Sequence, residues 1–460
     1  MIDILAVKPQ RRIMIIQKAF DSHAHWALTG EWLRRLPLHN LQDAKDVSSL
    51  RPGHEYFMGE WLLGFGWDHN RWHNKELPTR QILDQAFPLV PVYFIRADGH
   101  GVWVNSLALK RAHWIDDMGN LSVSFKNMEG IVKDACGFPT GVLLDTAMNE
   151  MEKSLPVATK KDVRENLLRA MNLFNSEGIT HIRDMGCGPL EWDEARNLDE
   201  RKCLSLAAEM SFVCMNPSKE LDGVLSLSSH ESGKGTKNVR FKGIKVFADG
   251  ALGSEGAWLG TPYANRSDNW RGSQFISDDI LEMLFRKSWE KKLEVSVHAL
   301  GDEAVHQVVK CACKLFDQGF TGPCHIEHVQ MLRDETLLLM RGRPFVIHMQ
   351  PLHWLSDRHW IKNKIGNREH DLFRWNDLIL NGLPVFFGSD SPIERPSLIK
   401  TLVALNEAQK NGISAPTGNI IAHLSHPDED FANGTFTRIV DSEIKEVVFR
   451  GIRLEGLHGK

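Results

Sequence analysis

Eight short apolar runs of strand length recur along this chain between stretches of helical periodicity, and that alternation constrains the fold more than any other feature. The runs cover residues 13–19, 178–184, 204–213, 241–248, 293–299, 324–329, 345–350 and 383–388. Helical spacing marks the segments between them, most clearly 160–177, 278–292 and 302–318. Strands alternating with helices predict a parallel sheet, because a parallel pair needs a long crossover. Eight such units close naturally into an α/β (β/α)8 TIM barrel, with functional residues at the C-terminal ends of the strands. A chain of 460 residues accommodates that barrel and a smaller satellite.

The spacing is uneven in one place. Between the first two runs lies a long insertion, about 55–141, rich in Trp, His, Gly and Pro. It contains GFGWDHNRWHNKELP and VYFIRADGHGVWVNS. An insertion of this length at a barrel's loop face is expected to act as a lid or substrate-binding element. The two ends, 1–20 and 415–460, carry short β-like pieces such as EIKEVVFR. They are expected to form a small β domain, which leaves 21–414 for the barrel with its insertion.

Composition narrows the function class. Hydrophobic residues make up 42% and charged residues 25%, as in a soluble globular protein. The formal charge is −4 without a basic block, so no nucleic-acid partner is expected. Seven cysteines without a C-x-x-C pair fit reduced thiols, and Cys311 and Cys313 are expected to pack rather than bind metal. No signal-peptide pattern stands at the N-terminus and no apolar run approaches the ~18 residues of a membrane span, so a cytoplasmic protein is expected.

The chemistry-bearing residues cluster at strand ends. In DSHAH, His23 and His25 are two apart, so in a strand both point the same way and supply half of a metal site. His298, His328 and Asp390 each follow an apolar run, where a barrel opens to solvent. Any one of them alone is equally explained as a hydrogen-bonded structural group; five on four strands are hard to explain that way. Lys245 lies within FKGIKVFADG, in a central strand. A buried lysine must be paired, neutral or modified. A neutral one can take up carbon dioxide as a carbamate that bridges two metals; the alternatives are an ion pair with Asp249 or a snorkelling chain.

The segments DSHAHW, IKVFADGALG, VHALGDEA, IEHVQ and GSDSP, in this order, resemble the amidohydrolase superfamily. RADGHGVWVNSLAL and GWDHNRW resemble its YtcJ-like branch, related to N-substituted formamide deformylases. The resemblance runs from about Asp21 to Pro396. It implies that His23 and His25 ligate the more buried metal and that carboxylated Lys245 bridges two zinc ions, or another divalent metal. His298 and His328 would then hold the second ion. Asp390 would ligate the first and carry protons as general base and then acid. Gln350 and His353 in MQPLHW match a segment after the seventh strand and are expected at the substrate. Asp98, His100 and Trp103 are the candidates for a lid completing the pocket, with Trp67 and Trp72 as walls or as packing of the insertion's own core. His325 stands where members of that family often carry another residue and receives no ligand role; if it and His328 lie in one strand, their odd separation puts them on opposite faces. His348 and His359 are further candidates for the mouth.

Two departures from the family pattern bear on the satellite. Only twenty residues, ending Gln17-Lys18-Ala19-Phe20, precede the DSHAH motif, and seventy follow Asp390. A small, reduced β-sandwich satellite is therefore expected, with a homo-oligomer as one way to compensate. The preferred reading is hydrolysis of an amide or other C–N bond of a small molecule by a binuclear zinc site. A lactonase or ester hydrolase on the same ligands is the alternative. A non-catalytic binding or regulatory protein on a degenerate barrel is the alternative of another class.

Overall fold

The computed structural model describes residues 13–97, 101–413 and 419–455. Eight strands, all parallel, follow one another around a barrel: β1 (Phe20–Ala24), β2 (His181–Cys187), β3 (Ala207–Val213), β4 (Val239–Phe247), β5 (Glu294–Ala299), β6 (Cys324–His328), β7 (Phe345–Met349) and β8 (Val385–Phe387). Each strand hydrogen-bonds to the next in sequence order. Both faces are covered, one by helices and one by the barrel interior, which is why β6 is buried along its whole length. The helix Asp302–Asp317 shows how the outer layer forms: Ala304, Val305, Val308, Ala312 and Leu315 line one buried stripe, while Lys310 and Lys314 face away. Cys311 and Cys313 are buried free thiols, as expected of packing residues.

The barrel closes between its first and last strands. The amide of Asp390 donates to the carbonyl of His23 at 2.7 Å, and the amide of His25 to that of Ser391 at 2.8 Å. Asp21 ties the same seam by accepting from the amide of Ser389 at 2.8 Å and from its hydroxyl at 2.6 Å. A Cβ on Gly388 would lie 2.4 Å from the backbone nitrogen of His23, so only glycine permits this approach.

The run 13–19 is not the first barrel strand. Ile13–Gln17 pairs antiparallel with Phe436–Val440, and the chain turns at Lys18, whose φ is +47°, before β1 begins. The physical reason lies in burial: Ile13 and Ile15 are exposed, whereas every residue of β1, polar Asp21 and Ser22 included, is buried. Hydrophobicity therefore marked the wrong strand as barrel. Phe436–Val440, Glu443–Phe449 and Ile452–Arg453 complete a four-stranded antiparallel sheet built from both ends. Among the described residues this satellite is one sheet. Around it Phe431, Ala432 and Phe449 pack with Ala207 of β3.

The chain divides into two compact units, residues 1–29 with 167–460, and residues 30–166. The second unit is wider than the 55–141 insertion read from composition. It opens with Leu36–Pro37, paired to Trp61–Trp67, and closes past the helix Asp145–Glu152. Its seven-stranded mixed sheet carries an apolar cluster on each face. Trp67, Trp72 and Trp103 belong to one of these, with ring centroids 5.9–6.3 Å apart. The indole of Trp67 donates to Phe94 O at 2.7 Å and that of Trp103 to Thr79 O at 3.1 Å. These three tryptophans are core of the insertion, and the N–H groups of Trp67 and Trp103 are satisfied there in the way buried indoles require.

Candidate metal and active site

The C-terminal mouth of the barrel gathers the histidines and Asp390 that the sequence placed at strand ends. His23 lies in β1, His25 just beyond it, His298 in β5, His328 at the end of β6 and Asp390 three residues past β8. One potential ligand atom from each of His23, His328 and Asp390 lies within 4.8 Å of the other two. Asp390 Oδ1 is 3.3 Å from His23 Nε2 and 3.2 Å from His25 Nε2, and its Oδ2 is 3.6 Å from His353 Nε2. The rings of His23 and His328 are centred 4.7 Å apart, and those of His328 and His298 4.6 Å apart.

Local backbone explains how these side chains converge. His328 has φ +76°, Val329 +44° and Asp390 +59°, all in the left-handed region that non-glycine residues avoid. Each such residue costs about 1–3 kcal/mol, a strain found where the surrounding structure fixes a functional geometry. The turn at His328 ends the pleat, so simple alternation along β6 stops one residue early. His325 and Glu327 share the inward parity, and His325 pairs with His348, Nδ1 to Nε2 at 2.9 Å, away from the cluster.

The electrostatics suit metal ligands. Burial raises the cost of ionising Asp390, but His23 first, then His25 and His328, outweigh it and hold the carboxyl well below its usual range. Burial pushes His328 well down and His298 down to about 3, with Lys245 adding to the effect on His298, so both imidazoles are neutral. Lys245 is buried, its Nζ 5.3 Å from the Phe247 ring centroid. Desolvation lowers it to about 8 against the opposing pull of Glu327 and Asp390. Asp249, the partner the sequence offers Lys245, accepts instead from the amides of Trp258, Leu300 and Gly301 at 2.8–3.0 Å.

Whether a metal fits is tested by the donor atoms themselves. Among the described residues, His298 Nε2 and His353 Nε2 are buried without a hydrogen-bond partner, and the nearest carboxylate to His298 Nε2, Asp249 Oδ1, is 3.8 Å away. Neutral imidazoles with unpartnered lone pairs, set beside an ionised carboxylate, are the donor set a divalent zinc-type ion takes. The residues present fit the group.

Other expected site residues fall elsewhere. Gln350 Oε1 lies 2.8 Å from His328 Nδ1, so its carbonyl orients a ligand candidate. Trp103 is buried in the insertion's core. Asp98 and His100 lie outside the described residues. The sequence reading missed Glu327 and Arg183. Glu327 Oε2 is 2.6 Å from His23 Nδ1, and Arg183 Nη1 donates to Glu327 Oε1 at 3.0 Å. The available signal was the charge itself: two ionisable residues inside strands of a barrel interior require each other.

A parallel eight-stranded barrel with a metal-competent histidine–aspartate cluster at its C-terminal mouth is the class this fold and site define. The chain belongs to the amidohydrolase family, whose model matches residues 20–436. It is 31% identical to YtcJ of Bacillus subtilis over 381 residues, 81% of this chain and 69% of that protein. It is 28% identical to LONG AFTER FAR-RED 3 of Arabidopsis thaliana over 404 residues, 83% of this chain and 66% of that one. Among solved structures, an uncharacterized metal-dependent hydrolase from Pyrococcus furiosus is 25% identical, with a TM-score of 0.69, covering 86% of this chain and 77% of its own.

Proposed function

We propose that this chain is a metal-dependent hydrolase that cleaves an amide or related C–N bond of a small molecule. The observation that carries the reading is the convergence of His23, His328 and Asp390 within 4.8 Å beside the Nε2 of His298, which has no hydrogen-bond partner among the described residues. Family membership and the Pyrococcus furiosus likeness support it. His23 and His25 would hold one zinc ion, with Asp390, and His298 and His328 a second. When bound, the pair supplies Lewis acidity and lowers the pKa of a water molecule.

The chain's own groups do the rest. Lys245, buried and shifted to about 8, has an accessible neutral form. That amine would add to carbon dioxide, forming an N–C bond and releasing one proton, to give a carbamate anion that could serve as a further metal ligand. Asp390 takes a proton from the attacking water and returns it to the leaving nitrogen, as base and then acid. His353, with Nε2 3.6 Å from Asp390 Oδ2 and no hydrogen-bond partner among the described residues, would meet the substrate beside that proton path.

Metal content and turnover test this together. About two zinc ions per chain in the wild type, falling in Lys245→Ala, is the expected result; one ion unaffected by that change overturns the binuclear assignment. On a panel of amides, esters and lactones, amide turnover is expected to fall by about 10²–10⁴-fold in Asp390→Asn. Turnover confined to lactones or esters would move the leaving atom from nitrogen to oxygen. A fully loaded chain inert on the whole panel would make it a binding protein.

A further inference from the structure

The two histidines facing each other at the mouth are held from behind by different chemistry. His328 Nδ1 meets the neutral amide oxygen of Gln350 at 2.8 Å. His23 Nδ1 meets the carboxylate of Glu327 at 2.6 Å, with His23 1% exposed and Glu327 fully buried. Glu327 in turn accepts from Arg183 Nη1 at 3.0 Å. Arg183 also donates to Ser296 Oγ at 2.6 Å and to the carbonyl of Ser22 at 3.2 Å. The result is a continuous line across the barrel interior, from β5 through β2 and β6 to β1.

We infer that Glu327, clamped by Arg183, is a positioning residue that holds His23 by its Nδ1–H and so fixes the direction in which Nε2 faces the mouth. An imidazole N–H that meets a buried, arginine-held carboxylate fixes the plane of its ring, whatever the other nitrogen carries. A carboxylate acceptor binds that N–H more strongly than an amide does. Burying a lone carboxylate there would be costly, and the guanidinium removes that cost without competing for His23, because it engages the other oxygen. His23 is therefore fixed in ring orientation by a charged contact, whereas His328 is oriented by a weaker, uncharged one. Carboxylates behind metal-bound histidines affect metal affinity by about 10–100-fold when removed.

The inference rests on the metal-hydrolase reading for its purpose, but its geometry can be tested without metal. In the full-length, metal-free chain labelled with ¹⁵N-histidine, two-bond proton–nitrogen correlations distinguish the tautomers, with His23→Asn identifying the signal. The expected result is a protonated Nδ1 on His23. An Nδ1 without a proton overturns the inference, and this readout stands even where a substituted chain fails to fold. For the second arm, Co²⁺ is loaded and its release to a chelator followed, together with its visible absorption. Glu327→Gln is expected to release Co²⁺ about 10–100-fold faster, with a changed spectrum, while Arg183→Lys, which retains the charge, loses less. Release within about twofold of wild type and an unchanged spectrum would refute it. A wild type that takes up no divalent ion would refute the hydrolase reading and leave the Nδ1 proton to decide this one.

Discussion

Asp390 stands where three imidazoles meet, His23 and His25 on one carboxylate oxygen and His353 on the other. Its left-handed backbone is tolerable for aspartate, whose short polar chain visits that region more readily than most. Around it, ligand candidates were legible from sequence because residue type and strand-end position coincide at each. Glu327 and Arg183 were not, since their pairing is set by strand position between residues 144 apart. Parity sends His325 and His328 to opposite faces, whereas His325 faces His348 inside the barrel and His328 is turned into the site as well, by a φ angle that no local pattern announces. Gln350 illustrates the limit from the other side. Its place in the chain suggested the substrate, while its oxygen reaches His328 Nδ1. Replacing it by leucine is therefore expected to weaken metal retention by about tenfold while leaving substrate KM little changed in the loaded protein. Chelator competition and steady-state kinetics on matched samples would show this; a large KM rise at unaltered metal affinity would restore Gln350 to the substrate.

At the level of strands, most barrel boundaries follow from apolar runs, and the exception is instructive. β1 is polar in composition yet wholly buried, because it carries the ligands and the seam-tying Asp21. The barrel's other end carries polar groups as well. His181 opens β2 with Nε2 3.2 Å from Phe431 O and its ring 5.3 Å from that of His426. Burial first, then the charge of His426, pushes its imidazole from 6.5 down to about 3. In the unfolded chain the value returns to about 6.5, so between those limits the unfolded state binds the extra proton. The stability that neutral His181 contributes is thus complete above 6.5 and is lost progressively as the pH falls toward 3. Urea midpoints measured from neutral pH downward should fall less steeply in a His181→Gln variant than in wild type. Equal slopes would show that other buried groups set the acid limb.

For the molecule as a whole, the metal candidates lie in one of the two units, 1–29 with 167–460, while 30–166 has its own sheet and its own pair of apolar clusters. Composition disclosed that an insertion exists but not its bounds, because Leu36–Pro37 is too short a strand to show a period. Ligand binding stabilises only the unit that binds. Calorimetry is expected to resolve two transitions, of which removal of metal by a chelator lowers one and leaves the other in place; a single transition that moves as a whole would mean the units unfold together.

The seam between β1 and β8 has a consequence for biosynthesis. The residues that tie it, Asp21 and Ser389, are 368 apart in the chain, so the first strand leaves the ribosome long before its last neighbour exists. Until then β1 offers an unpaired edge, the kind of surface that invites wrong partners. His23 and His25 likewise wait for Asp390. Assembly of the site thus belongs to the end of synthesis, and a chain halted before its eighth strand would carry most of the ligands but no closed cup in which to use them.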